Sequence, residues 1–385
     1  MEYFLSEQQR TVKNLARKIA EERILPVRAE LDEREEFPWD VIKDLADAEM
    51  FRIFIPEEYE GLGGGSLELC LAMEELSRIC SGVAVSYAAS ALGVFPLLEY
   101  GTDEQKRKYL PQLAGGKRLA AFALTETTAG SDASAIKTTA QREKGGYLIN
   151  GTKQFITNGG DAEIYTVIAL TAKEKGPRGA SAFLVEKDTP GFSFGKKEKK
   201  MGIRASSTRE LVFRNCLVPE ENMIGREGMG FILTMRLLDR SRPGVGAQAV
   251  GLAQGALEAA VDYARKRIQF GHPIISIQAV QHMLADMATQ VEAARLLVYA
   301  VAKTIDSGAK NFTEEAAMAK VLASDTAMKV TTDAMQIFGG AGYMRDYPIE
   351  KMMRDAKITQ IYEGANQVLR TAIALELRKR KGMRE

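Results

Sequence analysis

The chain contains only two histidines and three cysteines among its 385 residues. Cys70, Cys80 and Cys216 are odd in number and widely spaced, so they provide neither a CxxC pair nor a disulfide framework. With so few nitrogen and sulfur ligands, no metal site is expected. The lack of cysteine pairs favours a reducing compartment, and we expect a bacterial cytoplasm rather than a mitochondrial matrix.

An excess of charge is also missing, because 52 Lys and Arg balance 51 Asp and Glu. Proteins that bind nucleic acid normally carry a basic excess or stripe, so nucleic acid is not an expected partner. The longest uncharged run, residues 81–98, contains serines, a tyrosine and a proline. This composition predicts a buried helix rather than a membrane span. The first residues lack the basic and apolar segments of a secretory signal.

What is present changes character twice along the chain. Helical periodicity dominates residues 1–120, and Ser6 with Gln9 predicts a capping box at the first helix. Residues 121–228 are rich in β-prone runs, and Asn150-Gly151 predicts a hairpin turn between two of them. Long helical segments joined by short turns fill residues 229–385. We therefore predict an α+β fold with three domains at these boundaries.

Five short stretches carry residue types that suit a ligand site. The first offers hydroxyl groups and glycine backbone to a polar or anionic ligand. The second and third place an aromatic side chain beside a glycine turn, and the fourth ends a helix in glycines that permit close backbone approach. The fifth puts a carboxylate at a helix break. Each stretch alone is also typical of a surface turn. The stretches are residues 122–132, 155–160, 267–271, 336–343 and 361–367.

In this order and spacing, the five stretches resemble those of the acyl-CoA dehydrogenase family, and the resemblance covers essentially the whole chain. It implies an N-terminal helical domain, a middle β-barrel-like domain and a C-terminal four-helix bundle. It also implies FAD bound between the last two domains, an acyl-CoA substrate and an electron-transfer flavoprotein that accepts the electrons. Family members are usually homotetramers in which a neighbouring subunit completes each flavin site.

The resemblance implies which positions contact FAD. At or next to these positions, the chain departs from the family pattern in three places. Phe155 replaces a common tryptophan, Ala365 replaces a frequent threonine, and Thr127-Thr128 replaces a pair that usually contains proline. The ring at 155 is expected to preserve flavin packing, whereas position 365 loses a hydroxyl donor. The implied contacts are Phe122, Leu124, Thr125, Gly130, Ser131, Phe155, Ile156, Thr157, Arg267, Gln269, Phe270, Gln278, Gln336, Ile337, Gly339, Gly340, Ala365, Asn366 and Gln367.

Glu363 matches the catalytic base of the family. The α-proton of a thioester is only weakly acidic, so a base must be held against it while the carbonyl oxygen is hydrogen-bonded. Some subfamilies carry the base on the helix near position 241, but this chain has Ser241 there, which favours Glu363. From the residue alone, a solvated cap of the following helix is the alternative. The implied substrate contacts are Ser131, Asp239, Arg242, Tyr362 and Gly364.

The uncharged run matches the helices that form the acyl pocket of the family. Residues 82–91 contain no Arg or Lys, and an unpaired buried carboxylate is costly, so a glutaryl-type substrate is not expected. Small residues leave width while Tyr87 and Phe95 shorten the pocket, which predicts a short, branched or compact cyclic acyl group. Two alternatives remain open: a flavin oxidase or monooxygenase on the same scaffold, and a catalytically silent scaffold. The long C-terminal extension of acyl-CoA oxidases is not seen, which favours the dehydrogenase.

Overall fold

The computed structural model describes residues 5–381, and its first part is helical. The predicted capping box is confirmed, because the Gln9 backbone N–H donates to the Ser6 hydroxyl at 3.2 Å and the Ser6 N–H donates to the Gln9 side chain at 3.0 Å. The helices of this part are α1 (Glu7–Ile19), α2 (Arg28–Arg34), α3 (Trp39–Asp47), α4 (Ser66–Ile79), α5 (Ser81–Tyr100) and α6 (Asp103–Ala114).

The uncharged run forms helix α5, which packs inside the protein. Among the described helices it is the one whose length and composition would allow it to cross a membrane, yet 83% of its apolar window is buried in the chain. Tyr87 of this helix is fully buried and donates its hydroxyl to the Met50 carbonyl oxygen at 2.8 Å. The prediction of a buried core helix is therefore confirmed.

The middle of the chain forms an eight-stranded mixed sheet. Its strands are β1 (Ala120–Ala123), β2 (Thr139–Glu143), β3 (Gly146–Thr157), β4 (Ile164–Leu170), β5 (Ala180–Glu186), β6 (Phe192–Lys197), β7 (Thr208–Pro219) and β8 (Met223–Ile224). Their order in the sheet is β6-β7-β3-β2-β4-β5-β8, and β1 pairs in parallel with β4. Every residue of β4 is buried, which places this strand at the centre of the domain core.

The predicted hairpin turn at Asn150-Gly151 is wrong. Strand β3 runs unbroken through both residues, and its pairing register with β7 shifts there as in a β-bulge. Gly151 has φ of +151°, and a Cβ at this position would lie 2.4 Å from Thr138 Oγ1. The turn between β2 and β3 lies at Lys144-Gly145 instead. A glycine that adopts positive φ serves a bulge as readily as a turn, so the dipeptide alone does not distinguish them.

The helices that follow the sheet form the C-terminal bundle. They are α7 (Gly230–Lys266), α8 (Gln278–Asp306), α9 (Thr313–Phe338), α10 (Ile349–Thr359) and α11 (Asn366–Lys381). Helices α7, α8 and α9 pack on one another, α11 packs on α9, and α10 contacts both α7 and α9. A two-stranded hairpin of β9 (Ile268–Gln269) and β10 (His272–Pro273) connects α7 to α8.

Two glycines let α7 lie directly against α4. A Cβ at Gly251 would be 2.0 Å from the Glu74 carbonyl oxygen, and one at Gly255 would be 2.1 Å from the Arg78 carbonyl oxygen. No side chain fits at these distances, so the backbones meet without intervening atoms. This close approach sets α4, α5 and α7 around a cavity beside the loop that precedes α11.

Candidate active site

Glu363 lies in the loop between α10 and α11, where its backbone has φ of +56°. Left-handed backbone is uncommon for a residue with a side chain, and such residues cluster at functional sites. The carboxylate faces α7, because Ser241 Oγ donates a hydrogen bond to Glu363 Oε2 at 2.6 Å. Arg242 Nε lies 3.5 Å from the Glu363 carbonyl oxygen. Side chain and backbone of Glu363 are thus both tied to α7.

Burial raises the pKa of the Glu363 carboxyl above its usual range. The hydrogen bond from Ser241 and the positive charges of Arg242 and Lys320 lower the pKa, but the loss of solvation is the larger effect. Sequence alone could not decide this direction, since the following helix N-terminus opposes burial. A raised pKa makes the carboxylate a better proton acceptor near neutral pH.

The loop that carries Glu363 is bonded to α9 through a buried lysine. Lys320 Nζ donates to the Gly364 carbonyl oxygen at 2.8 Å and to Asn366 Oδ1 at 2.9 Å. Asn366 Nδ2 donates in turn to Ser324 Oγ at 2.9 Å. Burial lowers the pKa of Lys320 to about 8. The Asn366 side chain, which the resemblance places against FAD, is therefore directed into the protein.

An apolar cavity of about 80 Å³ opens beside Glu363. Helices α4, α5 and α7 form its walls, and Thr157 and Tyr362 line it as well. The Tyr362 hydroxyl donates to Gln248, whose Nε2 donates to Ser81 Oγ at 2.7 Å, so these polar groups satisfy one another. Because a single water needs about 10–15 Å³, the cavity is large enough for a compact apolar group.

The cavity also has a cationic wall residue that sequence analysis missed. Arg240 of α7 lines it, with Cζ 4.8 Å from the centroid of the Phe95 ring. Arg240 Nη1 donates to Glu99 Oε1 at 2.7 Å. Residues 82–91 contain no Arg or Lys, but α7 supplies a cation to the same cavity. The carboxylate of Glu99 already forms an ion pair with Arg240.

Four of the five implied substrate contacts adjoin Glu363 in the structure, namely Asp239, Arg242, Tyr362 and Gly364. Arg242 is buried and pairs with Asp239, which also accepts from Thr313 Oγ1 at 2.6 Å. The fifth, Ser131, lies exposed on the loop after β1. The Asp239–Arg242 pair thus adjoins the backbone of the proposed base.

One group of implied FAD contacts lies where the ends of β1 and β3 meet. The Gln154 N–H donates to the Thr125 carbonyl oxygen at 2.8 Å, which joins the two segments. Phe155 is 57% exposed although apolar, and a Cβ at Gly130 would meet nothing within 4 Å. An exposed ring, nearby hydroxyl groups and open backbone fit the flat ring and polar edge of a flavin. This group comprises Phe122, Leu124, Thr125, Gly130, Ser131, Phe155, Ile156 and Thr157.

The second group lies at and just beyond the C-terminal ends of α7 and α9. Arg267 follows α7, about 39 Å from Ser241 along the helix axis at 1.5 Å per residue. Tyr263 stacks on Phe338 with 4.2 Å between ring centroids, so the end of α9 lies beside it. Because Thr157 of the first group lines the same cavity as Ser241, the second group lies far from Thr157 within one chain. This second group comprises Arg267, Gln269, Phe270, Gln278, Gln336, Ile337, Gly339 and Gly340, whereas Ala365, Asn366 and Gln367 follow Glu363 directly.

Three family models match the chain along nearly its full length. They describe the acyl-CoA dehydrogenase N-terminal domain over residues 6–117, the middle domain over 121–216 and the C-terminal domain over 228–377. The chain belongs to the acyl-CoA dehydrogenase family. It is therefore an oxidoreductase of an FAD-dependent family. The family and the α+β fold expected from the sequence are confirmed.

Two similar curated proteins come from bacteria. An acyl-CoA dehydrogenase of Bacillus subtilis is 48% identical over 371 residues, which cover 96% of this chain and 98% of the relative. The acryloyl-CoA reductase (NADH) of Anaerotignum propionicum is also 48% identical, over 382 residues that cover 99% of this chain and 97% of the relative. Similarity at this level extends over all three domains.

Solved structures agree with this assignment. Butyryl-CoA dehydrogenase from Megasphaera elsdenii matches with a TM-score of 0.95 at 46% identity, covering 97% of this chain and 98% of that one. A chain from the structural study of the electron transferring flavoprotein of Acidaminococcus fermentans matches with a TM-score of 0.96 at 49% identity, covering 98% and 99%. An acyl-CoA dehydrogenase complexed with FAD from Bacillus anthracis matches at 0.92 and 35% identity, covering 97% and 69%.

Sequence reasoning missed three residues that shape the site. It assigns Ser241 no role beyond the lack of a carboxylate there, and it does not mention Arg240 or Lys320. Lys320 does carry a signal, because it stands among alanines at helical spacing on a face that must be buried. The position of Arg240 carries none, since its contact with α5 depends on how two distant helices pack.

Proposed function

We propose that this chain is an FAD-dependent dehydrogenase of short, branched or compact cyclic acyl-CoA thioesters, which forms the 2-enoyl-CoA. The observation that carries the proposal is the Glu363 carboxyl on the wall of a small apolar cavity, which Thr157 at the end of β3 also lines. A carboxyl there is badly placed as a solvated helix cap. It is well placed to remove a weakly acidic proton from a group inside the cavity.

In this reaction Glu363 takes the α-proton of the thioester. Its backbone N–H has no acceptor among the described residues and is free to donate to the thioester oxygen, on which negative charge develops. When bound, FAD supplies at N5 the acceptor for the β-hydrogen, which leaves as hydride. The α-proton stays on Glu363 and the electron pair of the α C–H bond completes the new double bond.

We assign binding of the CoA thioester to the five implied contacts, Ser131, Asp239, Arg242, Tyr362 and Gly364. The support is local: four of them adjoin Glu363, and the buried pair of Arg242 with Asp239 fixes a cation beside it. The volume of about 80 Å³ supports a compact acyl group. Since Glu99 already neutralises Arg240, a substrate carboxylate would gain less from this cation, which disfavours a dicarboxylic acyl group.

We further propose a homotetramer in which a neighbouring subunit completes each flavin site. Thr157 of the first group lines the same cavity as Ser241, whereas Arg267 of the second group lies about 39 Å from Ser241 along α7. This separation supports contact between the second group and a flavin held by a neighbouring subunit. Phe270, in the second group, is 88% exposed and would gain cover. The proposed electron acceptor is an electron-transfer flavoprotein, which fits the similarity to a chain from the study of that protein in Acidaminococcus fermentans.

A second candidate is the reverse reaction, reduction of a 2-enoyl-CoA. The relative from Anaerotignum propionicum, 48% identical, bears the name acryloyl-CoA reductase. The same carboxyl would then return a proton to the α-carbon, so geometry alone does not select the direction. An oxidase or monooxygenase would use the same base but would consume oxygen.

The test is an anaerobic titration of the FAD-loaded protein with butyryl-, isobutyryl-, cyclohexanecarboxyl- and glutaryl-CoA, followed by visible absorbance. We expect at least one of the first three to bleach the flavin and glutaryl-CoA to leave it oxidised. Oxygen uptake during turnover in air identifies an oxidase, and reoxidation by crotonyl-CoA measures the reverse direction. A protein that cannot be loaded with FAD, or flavin that none of the thioesters bleaches, contradicts the proposal.

A further inference from the structure

Ser241 places its hydroxyl between α7 and the Glu363 carboxylate. Its Oγ lies 2.6 Å from Glu363 Oε2 and 3.1 Å from the Leu238 carbonyl oxygen. A hydroxyl carries a single proton, and it forms the shorter and stronger bond with an ionised acceptor. The proton therefore points to Glu363 whenever that carboxylate is charged.

The cations near Glu363 are engaged elsewhere. Arg242 pairs with Asp239 and reaches the Glu363 backbone rather than its carboxylate. Lys320 donates to the two loop residues that follow the site, not to the carboxylate. Within residues 5–381, Ser241 is thus the hydrogen-bond donor that contacts the carboxylate of Glu363.

From this geometry we infer that Ser241 is a positioning residue for proton abstraction, which holds Glu363 by Oε2 and leaves Oε1 free to face the substrate α-carbon. The inference rests on the proposed function, in which Glu363 is the base. Ser241 belongs to a 37-residue helix, so it fixes the carboxylate to a rigid element rather than to the loop. The α C–H bond breaks, its proton passes to Oε1, and Ser241 keeps its own proton throughout.

The surrounding charges determine what loss of this hydroxyl does. Arg242 from α7 and Lys320 from α9 lower the pKa of Glu363, and so does the Ser241 hydrogen bond, whereas burial raises it. Tyr362, which directly precedes Glu363, stays protonated because burial raises its pKa. The other titratable groups at or next to the cavity are Cys70 of α4, Glu99 of α5, and Asp239 and Arg240 of α7.

Removing the hydroxyl leaves the burial and both cations in place, so the pKa of Glu363 rises. The base acts as the carboxylate, and activity is therefore lost as the pH falls through that pKa. A higher pKa moves this acid limb of the rate profile to higher pH. A purely structural role of Ser241 would instead lower the rate by one factor at every pH.

The test compares Ser241→Ala and Ser241→Thr with wild type. Ser307→Ala serves as a control because its exposed hydroxyl donates to the Thr304 carbonyl oxygen at 2.8 Å and has no bond to Glu363. The FAD-loaded proteins are mixed with butyryl-, isobutyryl- and cyclohexanecarboxyl-CoA in turn, over a wide pH range. Flavin bleaching and deuterium incorporation at the substrate α-carbon in D₂O are both measured. The second readout follows the base without requiring oxidation.

Ser241→Ala is expected to shift the acid limb upward by about one pH unit. The rate then falls about tenfold at pH values below the pKa of Glu363 and stays nearly unchanged at pH values well above it. Ser241→Thr and Ser307→Ala are expected to keep the wild-type limb. An unshifted limb in Ser241→Ala overturns the inference. If wild type exchanges α-protons without bleaching the flavin, the dehydrogenase proposal fails. The pH dependence of the exchange rate in wild type and Ser241→Ala then still decides the role of Ser241. If wild type neither exchanges α-protons nor bleaches the flavin, the proposed function and the role of Ser241 are both contradicted.

Discussion

Replacing Lys320 with Met is expected to loosen the loop that carries Glu363. Lys320 is fully buried, and its Nζ donates to the Gly364 carbonyl oxygen at 2.8 Å and to Asn366 Oδ1 at 2.9 Å. Met is similar in length and apolar, so the change removes both bonds without opening a large cavity. A buried acceptor left unpaired costs about 1–3 kcal/mol. Removing a desolvated cation stabilises the fold and offsets part of this loss. We expect a net loss of about 1–3 kcal/mol in unfolding free energy.

The pH dependence of stability gives this prediction a second readout. The pKa of Lys320 is about 8 in the folded protein against 10.5 as its ordinary value, so the unfolded chain binds more protons between these limits. Stability contributed by this group therefore rises as the pH increases from about 8 to about 10.5. Lys320→Met lacks the titrating group and is expected to lack this contribution. Denaturant unfolding at several pH values measures the difference.

The same change is also expected to slow catalysis. Loss of the loop contacts misplaces the carboxylate of Glu363, for which about 10–100-fold in kcat is the expected magnitude, with a smaller change in KM. The lost positive charge also raises the pKa of Glu363 and shifts the acid limb upward. Lys310→Met, on the exposed loop before α9, is the matched control. Wild-type kcat together with unaltered stability in Lys320→Met would refute the reasoning.

Two further changes test the packing and the flavin site. Gly251→Val puts a Cβ 2.0 Å from the Glu74 carbonyl oxygen and is expected to cost more than about 3 kcal/mol in unfolding free energy. The Cβ of Gly244→Ala meets nothing within 4 Å, so this control variant is expected to cost little. Equal stability of the two variants would contradict the close packing of α7 on α4. Phe155→Ala removes an exposed ring, so the FAD-free protein is expected to keep its stability while FAD affinity, measured by fluorescence titration, falls about tenfold. Phe155→Trp is expected to retain affinity, and an unchanged affinity in Phe155→Ala would show that the ring does not contact the flavin.

The elements that could be predicted from sequence are those with a local cause. The capping box of Ser6 and Gln9 and strand β4 follow from residues within a few positions of one another. The Asn150-Gly151 pair shows the limit of such patterns, because the same positive φ serves a turn or a bulge, and the pairing with distant β7 decides between them.

The candidate site divides in the same way. Glu363 is found from sequence because its neighbours form a motif, but the hydroxyl that holds it comes from Ser241, more than a hundred positions earlier. Arg240 enters the cavity through the packing of α7 on α5, where it meets Phe95 and Glu99. Contacts of this kind depend on helix placement and leave no pattern in the local sequence.

Glu363→Gln tests most directly whether Glu363 is the base. Gln keeps the shape of the side chain and an oxygen that can accept from Ser241, but it cannot take up the α-proton. The variant is expected to retain FAD and to bind the acyl-CoA that wild type oxidises, while anaerobic bleaching and α-deuterium exchange slow by about a thousandfold. Bleaching and exchange at wild-type rates in Glu363→Gln would contradict the assignment of the base.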